Sequence, residues 1–326
     1  LLLKDAVESG SVLCIVNLTR QARDIYTAVK NLAANSEDKV EVIHLSTKMC
    51  PAHRMDKIKR MKEALAAFHS GKSKRKLICI STQLIEAGVD VSFTTIYRAL
   101  AGFDSIAQAA GRCNRHGEME SGLVKIFQME GENLDKLPDI QIGIKMAKDL
   151  LHDIDIQDIL KPDNLDAYFM KYYDDRGDLK KSYELPPRKH TMLDLISAND
   201  IGYQACGERD KIEISKFLSY RHAFRDAGNA FSVIDSETIG VIVPYEKGKD
   251  FIKALNGSVE NPKELLKLFK KVQPYTVNVF SYEVEQLQRM GAIFQTLQGP
   301  LALREKYYDS AIGLKLEEQA NPFCNY

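Results

Sequence analysis

The 326-residue sequence has no excess charge of either sign, because 45 Lys and Arg residues balance 45 Asp and Glu residues. No global field therefore draws the chain to nucleic acid or membrane, and any such attraction must come from a local patch. Long apolar runs are also missing, and Lys4 and Asp5 directly follow Leu3, which argues against a membrane span and a signal-peptide core. We expect a cytoplasmic protein without membrane contact.

Paired cysteines are missing too. The six cysteines form no C-x-x-C motif, and Cys14 and Cys79 stand within apolar runs typical of buried strands. This pattern favours a reducing compartment over a disulfide framework. No metal site is predicted either, because the dipeptide His152-Asp153 has only distant histidines, His190 and His222, to complete a ligand set.

The sequence lacks a phosphate-cradling loop of the form G-x-x-x-x-G-K-[ST]. The nearest approximation is Gly71-Lys72-Ser73, but the position five residues before Gly71 is Ala66, and the segment lies between a predicted helix and a strand. An Asp-Glu dipeptide, the core of a common Mg²⁺-holding box, does not occur in the sequence either. We therefore expect another part of a larger assembly to hold any triphosphate and its Mg²⁺.

What the sequence does contain is an alternation of strand-like and helix-like patterns over residues 12–128, which predicts an α/β fold with a mainly parallel sheet of RecA-like layout. The expected division is a RecA-like domain over 1–130, a helical linker over 131–200 and a smaller α+β accessory domain over 201–326. Within the linker, residues 139–160 are predicted to form one helix.

The segment STQLIEAGVDV directly follows a predicted buried strand at residues 77–81. Ligands of open parallel sheets bind at the carboxyl ends of the strands, so these residues stand where a ligand would be met. The Thr82 hydroxyl suits a phosphate oxygen, Gly88 permits close backbone approach, and Asp90 can accept from a ribose hydroxyl. Taken alone, such a segment is more often an ordinary turn after a strand with capping polar groups.

A second motif, QAAGRCNR, ends a predicted helix and contains Gln108, Arg112 and Arg115. The two arginines are three residues apart and can face the same way. A guanidinium group suits the terminal phosphates of a nucleotide, where an arginine finger stabilises charge in the transition state. Taken alone, such a pair is more often simply solvated on a helix surface.

The order of these motifs resembles the second RecA-like domain of superfamily-two helicases. Upstream, VLCIVNLTR over 12–20 and HLSTKMCPAHR over 44–54 precede the segment over 81–91, and YRALAGFDSIAQAAGRCNRHGE follows over 97–118. These sequences resemble the corresponding motifs of the CRISPR-associated helicase-nuclease of type I systems, which degrades foreign DNA in antiviral defence. The resemblance covers roughly residues 10–128, and it implies that the chain is the carboxyl-terminal half of such an enzyme.

The resemblance also assigns residues to the nucleotide. It implies that Gly88, Asp90 and Gln108 line the ATP-binding face and that Arg112 and Arg115 are the catalytic arginines. ATP and Mg²⁺ would be held mainly by an amino-terminal half with the phosphate loop and an HD nuclease. The chain is then an ATP-dependent helicase only as part of the complete motor and inactive alone.

On the nucleic-acid side, the resemblance implies that Thr82, Thr47 and Arg54 contact the backbone of single-stranded DNA. Arg54 lies in a basic segment, residues 48–76, with ten basic residues against two acidic ones. The implied partners are single-stranded DNA, an RNA-guided surveillance complex and the amino-terminal half. Two alternatives stay open: half of another superfamily-two DNA or RNA helicase, and a non-catalytic docking module.

Overall fold

The chain is described by a computed structural model. The described residues are 1–86, 88–117, 119–175, 191–216, 218–230, 238–258 and 261–316. They form two compact units, one of Leu1–Leu160 with Glu237–Tyr326 and the other of Lys161–Ser236. This grouping differs from the predicted domain boundaries at residues 130 and 200, because the chain after residue 236 belongs to the first unit again. The functional boundaries stay a prediction, and residues 176–190 of the predicted linker lie outside the described part.

The first sheet has five parallel strands in the order β2-β3-β1-β4-β5. The strands are β1 (Ser11–Ile15), β2 (Val40–Leu45), β3 (Lys76–Ser81), β4 (Thr95–Ala99) and β5 (Leu123–Phe127). All residues of β1 and β4 are buried, as expected for central strands covered on both faces. The predicted RecA-like α/β class is confirmed.

Helices precede, connect and follow these strands. They are α1 (Leu2–Ser9), α2 (Thr19–Ala34), α3 (Pro51–His69), α4 (Phe103–Ala110) and α5 (Pro138–Leu150). The prediction of one helix over 139–160 is wrong in its second half, because α5 ends at Leu150 and a short 3₁₀ turn, Ile156–Asp158, follows. The Asp155 side chain accepts a hydrogen bond from the Gln157 amide, so it replaces the helical bond that would have continued the helix.

The two faces of the sheet carry separate apolar cores. Leu13, Ile43 and Cys79 pack on one face with α3, and Val12, Cys14 and Ile80 pack on the other with α1 and α2. Burial raises the pKa of the Cys14 thiol to about 12, so this cysteine is an apolar core residue and not a reactive one.

A second, smaller sheet belongs to the same compact unit and has the order β7-β6-β9-β8. Its strands are β6 (Thr238–Ile242), β7 (Thr276–Phe280), β8 (Ile293–Gln295) and β9 (Leu301–Leu303), and a short ladder of β10 (Tyr308–Asp309) and β11 (Gly313–Leu314) follows. Three helices accompany it, Gly248–Leu255, Pro262–Val272 and Ser281–Arg289. Its apolar core includes Cys50, which directly precedes α3.

The second unit is helical in its described part. Its α-helices are Pro162–Asp175, Met192–Ile196, Asp200–Ala205, Glu208–Ser215 and Phe224–Ala230. Thr191 caps one of them by accepting from the Asp194 amide, and the Asp194 carboxylate accepts from the Thr191 amide in return. In the described part of the chain, no helix combines the length and apolar character that a membrane crossing requires.

Candidate functional site

The loop after β3 carries the first predicted site residues. Thr82 is buried, and a 3₁₀ turn over Gln83–Ile85 follows it. Gly88 has a φ of +74°, a backbone conformation that favours glycine. A Cβ atom built there would meet nothing within 4 Å, so the space next to the Gly88 backbone is open. Asp90 is exposed at the end of the loop.

Arg115 and Asp90 meet on this exposed surface. Arg115 Nε donates to Asp90 Oδ1 at 2.8 Å, and Arg115 Nη1 donates to the Gly111 carbonyl at 3.1 Å. The hydrogen bond from Arg115 is the main cause that holds the pKa of Asp90 below its usual value. Gln108 is exposed on α4, which ends directly before Gly111. The structure therefore presents a charged, solvent-facing group of side chains from both predicted motifs.

Arg112 has different surroundings. Only 8% of its surface is exposed, and its guanidinium donates to two main-chain carbonyls, Ile85 at 3.2 Å and Glu86 at 2.6 Å. Its own carbonyl accepts from the Phe93 amide at 2.9 Å. Arg112 thus joins the loop after β3 to the turn after α4, whereas Arg115 faces solvent. The catalytic assignment of both arginines stays a prediction.

A buried ion pair lies behind the loop, and the sequence analysis missed it. Arg98 on β4 is fully buried, and its Nε lies 2.7 Å from Glu86 Oε1. Arg98 Nη1 also donates to Asn17 Oδ1 at 2.7 Å and to the Ala99 carbonyl at 2.9 Å. Burial raises the pKa of Glu86 to about 7. An arginine inside the apolar strand TIYRA was the available signal, because a buried charge requires a partner.

The predicted nucleic-acid residues follow two adjacent strands, β2 and β3, and differ in their exposure. Thr47 and Arg54 line one cavity of about 390 Å³, while Thr82 belongs to the loop after β3 and is 4% exposed. The same cavity is lined by Gln273, Thr276 and Asn278 of the second sheet region, which the sequence analysis did not select. The polar lining of this cavity therefore comes from two distant parts of the chain.

The basic segment over 48–76 is partly neutralised. Arg60 and Arg75 both pair with Glu41 of β2, and Lys48 pairs with Glu283. The charge excess counted along the sequence is therefore larger than the excess available to a ligand. In the part of the chain that the structure describes, no group of three or more His, Cys, Asp and Glu side chains could hold a metal ion.

Comparison with known proteins shows what this part of the chain is similar to. Residues 8–118 match the family described as "CRISPR-associated nuclease/helicase Cas3, C-terminal". A CRISPR-associated nuclease/helicase Cas3 of Haloferax volcanii is 61% identical over 41 residues, which are 13% of this chain and 4% of the relative. The matched family region contains β1 to α4 and the turn with Arg112 and Arg115.

Solved structures extend the likeness to the fold of nearly the whole chain. The crystal structure of T. fusca Cas3-ADP aligns with a TM-score of 0.59 and 14% identity over 96% of this chain and 40% of that chain. A chain of the structure entitled "CRISPR RNA-guided surveillance complex, pre-nicking" aligns with a TM-score of 0.53 and 12% identity over 96% and 41%. The chain therefore spans well under half the length of these relatives, and at such identities the likeness concerns the fold.

Proposed function

We propose that this chain is the second half of an ATP-driven motor that moves along single-stranded DNA. The proposal is supported by its similarity, in motifs and in fold, to part of Cas3-type helicase-nucleases. The observation that carries the proposal is the exposed contact between Arg115 and Asp90, which joins the two predicted motifs on one surface. The phosphate-binding loop, the Mg²⁺ site and the HD nuclease would belong to the amino-terminal half.

Nucleotide binding at this surface fits the residues present. The open space above Gly88 admits close approach of a ligand to the backbone. Arg115 offers an exposed guanidinium that can exchange Asp90 for phosphate oxygens, and Asp90 would then accept from a ribose hydroxyl. ATP, when bound, would supply the phosphoanhydride bond whose cleavage powers movement. The similar T. fusca protein was solved with ADP, which supports nucleotide binding in this fold.

Arg112 would act as a link between the nucleotide and nucleic-acid faces. Its two bonds to the carbonyls of Ile85 and Glu86 tie it to the loop that begins at Thr82. If Arg112 turns toward a bound nucleotide, this loop loses two hydrogen bonds and gains freedom to move. The contact between Thr82 and the nucleic-acid backbone would in this way depend on whether a nucleotide is bound.

Thr82, Thr47 and Arg54 would contact the backbone of the strand. Threonine hydroxyls and an arginine suit phosphate oxygens, and backbone contacts of this kind hold a strand without reading its sequence. One structural relative belongs to a structure of a CRISPR RNA-guided surveillance complex. This supports an RNA-guided complex as the partner that delivers the DNA. Degradation of foreign DNA in antiviral defence would then be the role of the complete protein.

The test is ATP hydrolysis stimulated by single-stranded DNA, measured for this chain alone and after mixing with the amino-terminal half. We expect no turnover by the chain alone. In the mixture, Arg115→Ala should lower turnover about 10³-fold or more, the usual contribution of an arginine finger. Arg289→Ala is the matched control, because Arg289 is exposed and makes only a helical pair with Glu285.

Three outcomes would contradict parts of the proposal. Turnover by the isolated chain that disappears in Arg115→Ala would show that the motor is complete here. Unchanged turnover of Arg115→Ala in the mixture would favour a non-catalytic docking module. Stronger stimulation by RNA than by DNA would assign the chain to a helicase outside CRISPR defence.

A further inference from the structure

The carboxyl-terminal segment holds the turn that carries Thr47. This turn connects β2 to α3, and three contacts from distant residues fix it. The Leu314 amide donates to the Lys48 carbonyl at 2.8 Å, Tyr308 Oη accepts from the Cys50 amide at 3.1 Å, and Lys48 Nζ forms an ion pair with Glu283. Both partners of the ion pair are largely buried, with 17% and 7% of their side chains exposed, so water screens the pair weakly.

The approach of the two segments is close enough to require a glycine. Gly313 has a φ of +83°, and a Cβ atom built there would lie 2.3 Å from the Lys48 carbonyl oxygen. No other residue fits this position without moving the turn. The turn and the carboxyl-terminal segment are therefore fitted to one another by their backbones as well as by their side chains.

His53 in the first turn of α3 extends the same contact. Its Nε2 lies 2.9 Å from the Ser310 carbonyl, which can only accept, so Nε2 carries the proton and Nδ1 accepts from Tyr308 Oη at 3.0 Å. The His53 ring also stacks on Tyr245 with centroids 4.2 Å apart. A neutral His53 is thus satisfied at both nitrogens by residues of the carboxyl-terminal part.

Thr47 itself is exposed in the middle of this arrangement. The residues that follow it, Lys48 to Cys50, are held by these contacts, and Thr47 lines the same cavity as Arg54. We infer that Glu283 and Tyr308 are positioning residues, which hold the Lys48–Cys50 turn so that Thr47 and Arg54 present a ready-made contact to the nucleic-acid backbone. This inference rests on the proposed function and adds a role for the second sheet region, which would act through the turn.

The first experiment measures the turn directly and needs no nucleic acid. Amide hydrogen exchange of this chain is compared for the wild type, Glu283→Gln and Tyr308→Phe, with Glu305→Gln as the control. Glu305 pairs with Lys249 on the exposed surface of the same region. We expect the Met49 and Cys50 amides to exchange about five-fold faster or more in the two variants, the size that a lost hydrogen bond of about 1 kcal/mol gives. Unchanged exchange at these amides would overturn the inference.

The second experiment asks whether the effect passes through Thr47. Binding of fluorescein-labelled oligo-dT is followed by anisotropy for Tyr308→Phe in the wild-type and Thr47→Ala backgrounds. We expect Tyr308→Phe to weaken binding about five-fold in the first background and to add little in the second, because coupled positions are not additive. A complete motor carrying Tyr308→Phe should need more DNA for half-maximal ATP turnover, while its turnover at saturating DNA is retained.

The outcomes separate the inference from the proposed function. Equal weakening by Tyr308→Phe in both backgrounds would overturn the positioning role and leave the Thr47 contact standing. Wild-type binding by both Thr47→Ala and Arg54→Ala would remove the nucleic-acid contact itself, and the positioning role with it, even if exchange at the turn is faster.

Discussion

The loop after β3 and the turn that carries Thr47 are built in opposite ways. The loop after β3 is held from within the first sheet: Arg112 reaches carbonyls 26 and 27 residues away, and Arg98 supports it from the adjacent core. The Thr47 turn is held from outside the first sheet, by groups such as Tyr308 that lie more than 250 residues away in the chain. The first arrangement depends on local sequence and the second on the return of the chain.

The difference extends to charge. The loop is supported by the buried ion pair of Arg98 and Glu86. Because the Glu86 carboxylate is shielded from water, burial raises its pKa to about 7. The turn is supported by a buried imidazole that must stay neutral, and burial lowers the pKa of His53 to about 4. Acid should therefore favour the first region and weaken the second, which allows the two supports to be perturbed separately.

The largest effect is expected from Arg98→Ala. This variant leaves Glu86 buried without its cation and removes the bonds to Asn17 and the Ala99 carbonyl. Breaking a buried pair by removing one partner typically costs about 3–5 kcal/mol. Urea unfolding at about pH 8, above the folded pKa of Glu86 and therefore with its carboxylate ionised, measures this loss. Arg289→Ala, whose exposed helical pair is worth only about 0.3–0.5 kcal/mol, serves as the control. A loss as small as that of the control would show that the loop does not depend on the buried pair.

A smaller effect is expected from pH at Glu86. Its folded pKa of about 7 lies above the ordinary value of 4.5, so the folded state binds this proton more tightly. The resulting stability is complete below 4.5 and is lost as the pH rises through 7, up to about 3 kcal/mol in all. Glu86→Gln removes this titration. The free energy of unfolding of the variant, measured relative to that of the wild type, should therefore increase as the pH rises over that interval. A constant difference between the two proteins would contradict the raised pKa.

The opposite trend is expected at His53, where the pKa shift corresponds to up to about 3 kcal/mol in the free energy of unfolding. Its folded pKa of about 4 lies below the ordinary 6.5, so its stability is present above 6.5 and is lost as the pH falls toward 4. The free energy of unfolding of His53→Gln, measured by urea titration relative to that of the wild type, should therefore increase as the pH falls. The protection factor of the Cys50 amide, which corrects the exchange rate for its intrinsic pH dependence, should fall with acid in the wild type and fall less in the variant. A gain in the same direction as that of Glu86→Gln would remove the contrast between the two regions.

Much of the first sheet could be predicted from the sequence, because buried parallel strands are short apolar runs. Residues 77–81 are predicted as a buried strand and lie within β3, Lys76–Ser81. The helix over 139–160 was predicted too long, because Asp155 competes locally for backbone hydrogen bonds in a way that apolar spacing does not reveal. Local patterns therefore predict elements better than their ends.

The site was predicted only in part for a related reason. Arg115 and Asp90 could be proposed together because motif order identifies both, and they do meet in the structure. Their chemical roles stay predictions. The contact of Tyr308 with Cys50 and His53 could not be proposed, since nothing in the sequence marks residues 255 and 258 positions apart as neighbours. Pairings between distant segments are set by the packing of whole elements, which a single sequence does not contain.

The smallest effect, and the most selective, is expected from a pair of glycines. Gly88 and Gly71 have φ values of +74° and +69°, and a Cβ atom at either would meet nothing within 4 Å. Each change to alanine should therefore cost about 1 kcal/mol, the strain of a left-handed backbone. Only Gly88→Ala should raise the ATP concentration needed for half-maximal turnover of the complete motor, because Gly88 lies in the loop that we propose faces the nucleotide, whereas Gly71 follows the end of α3. Equal unfolding losses with equal ATP requirements would show that the surface above Gly88 does not meet the nucleotide.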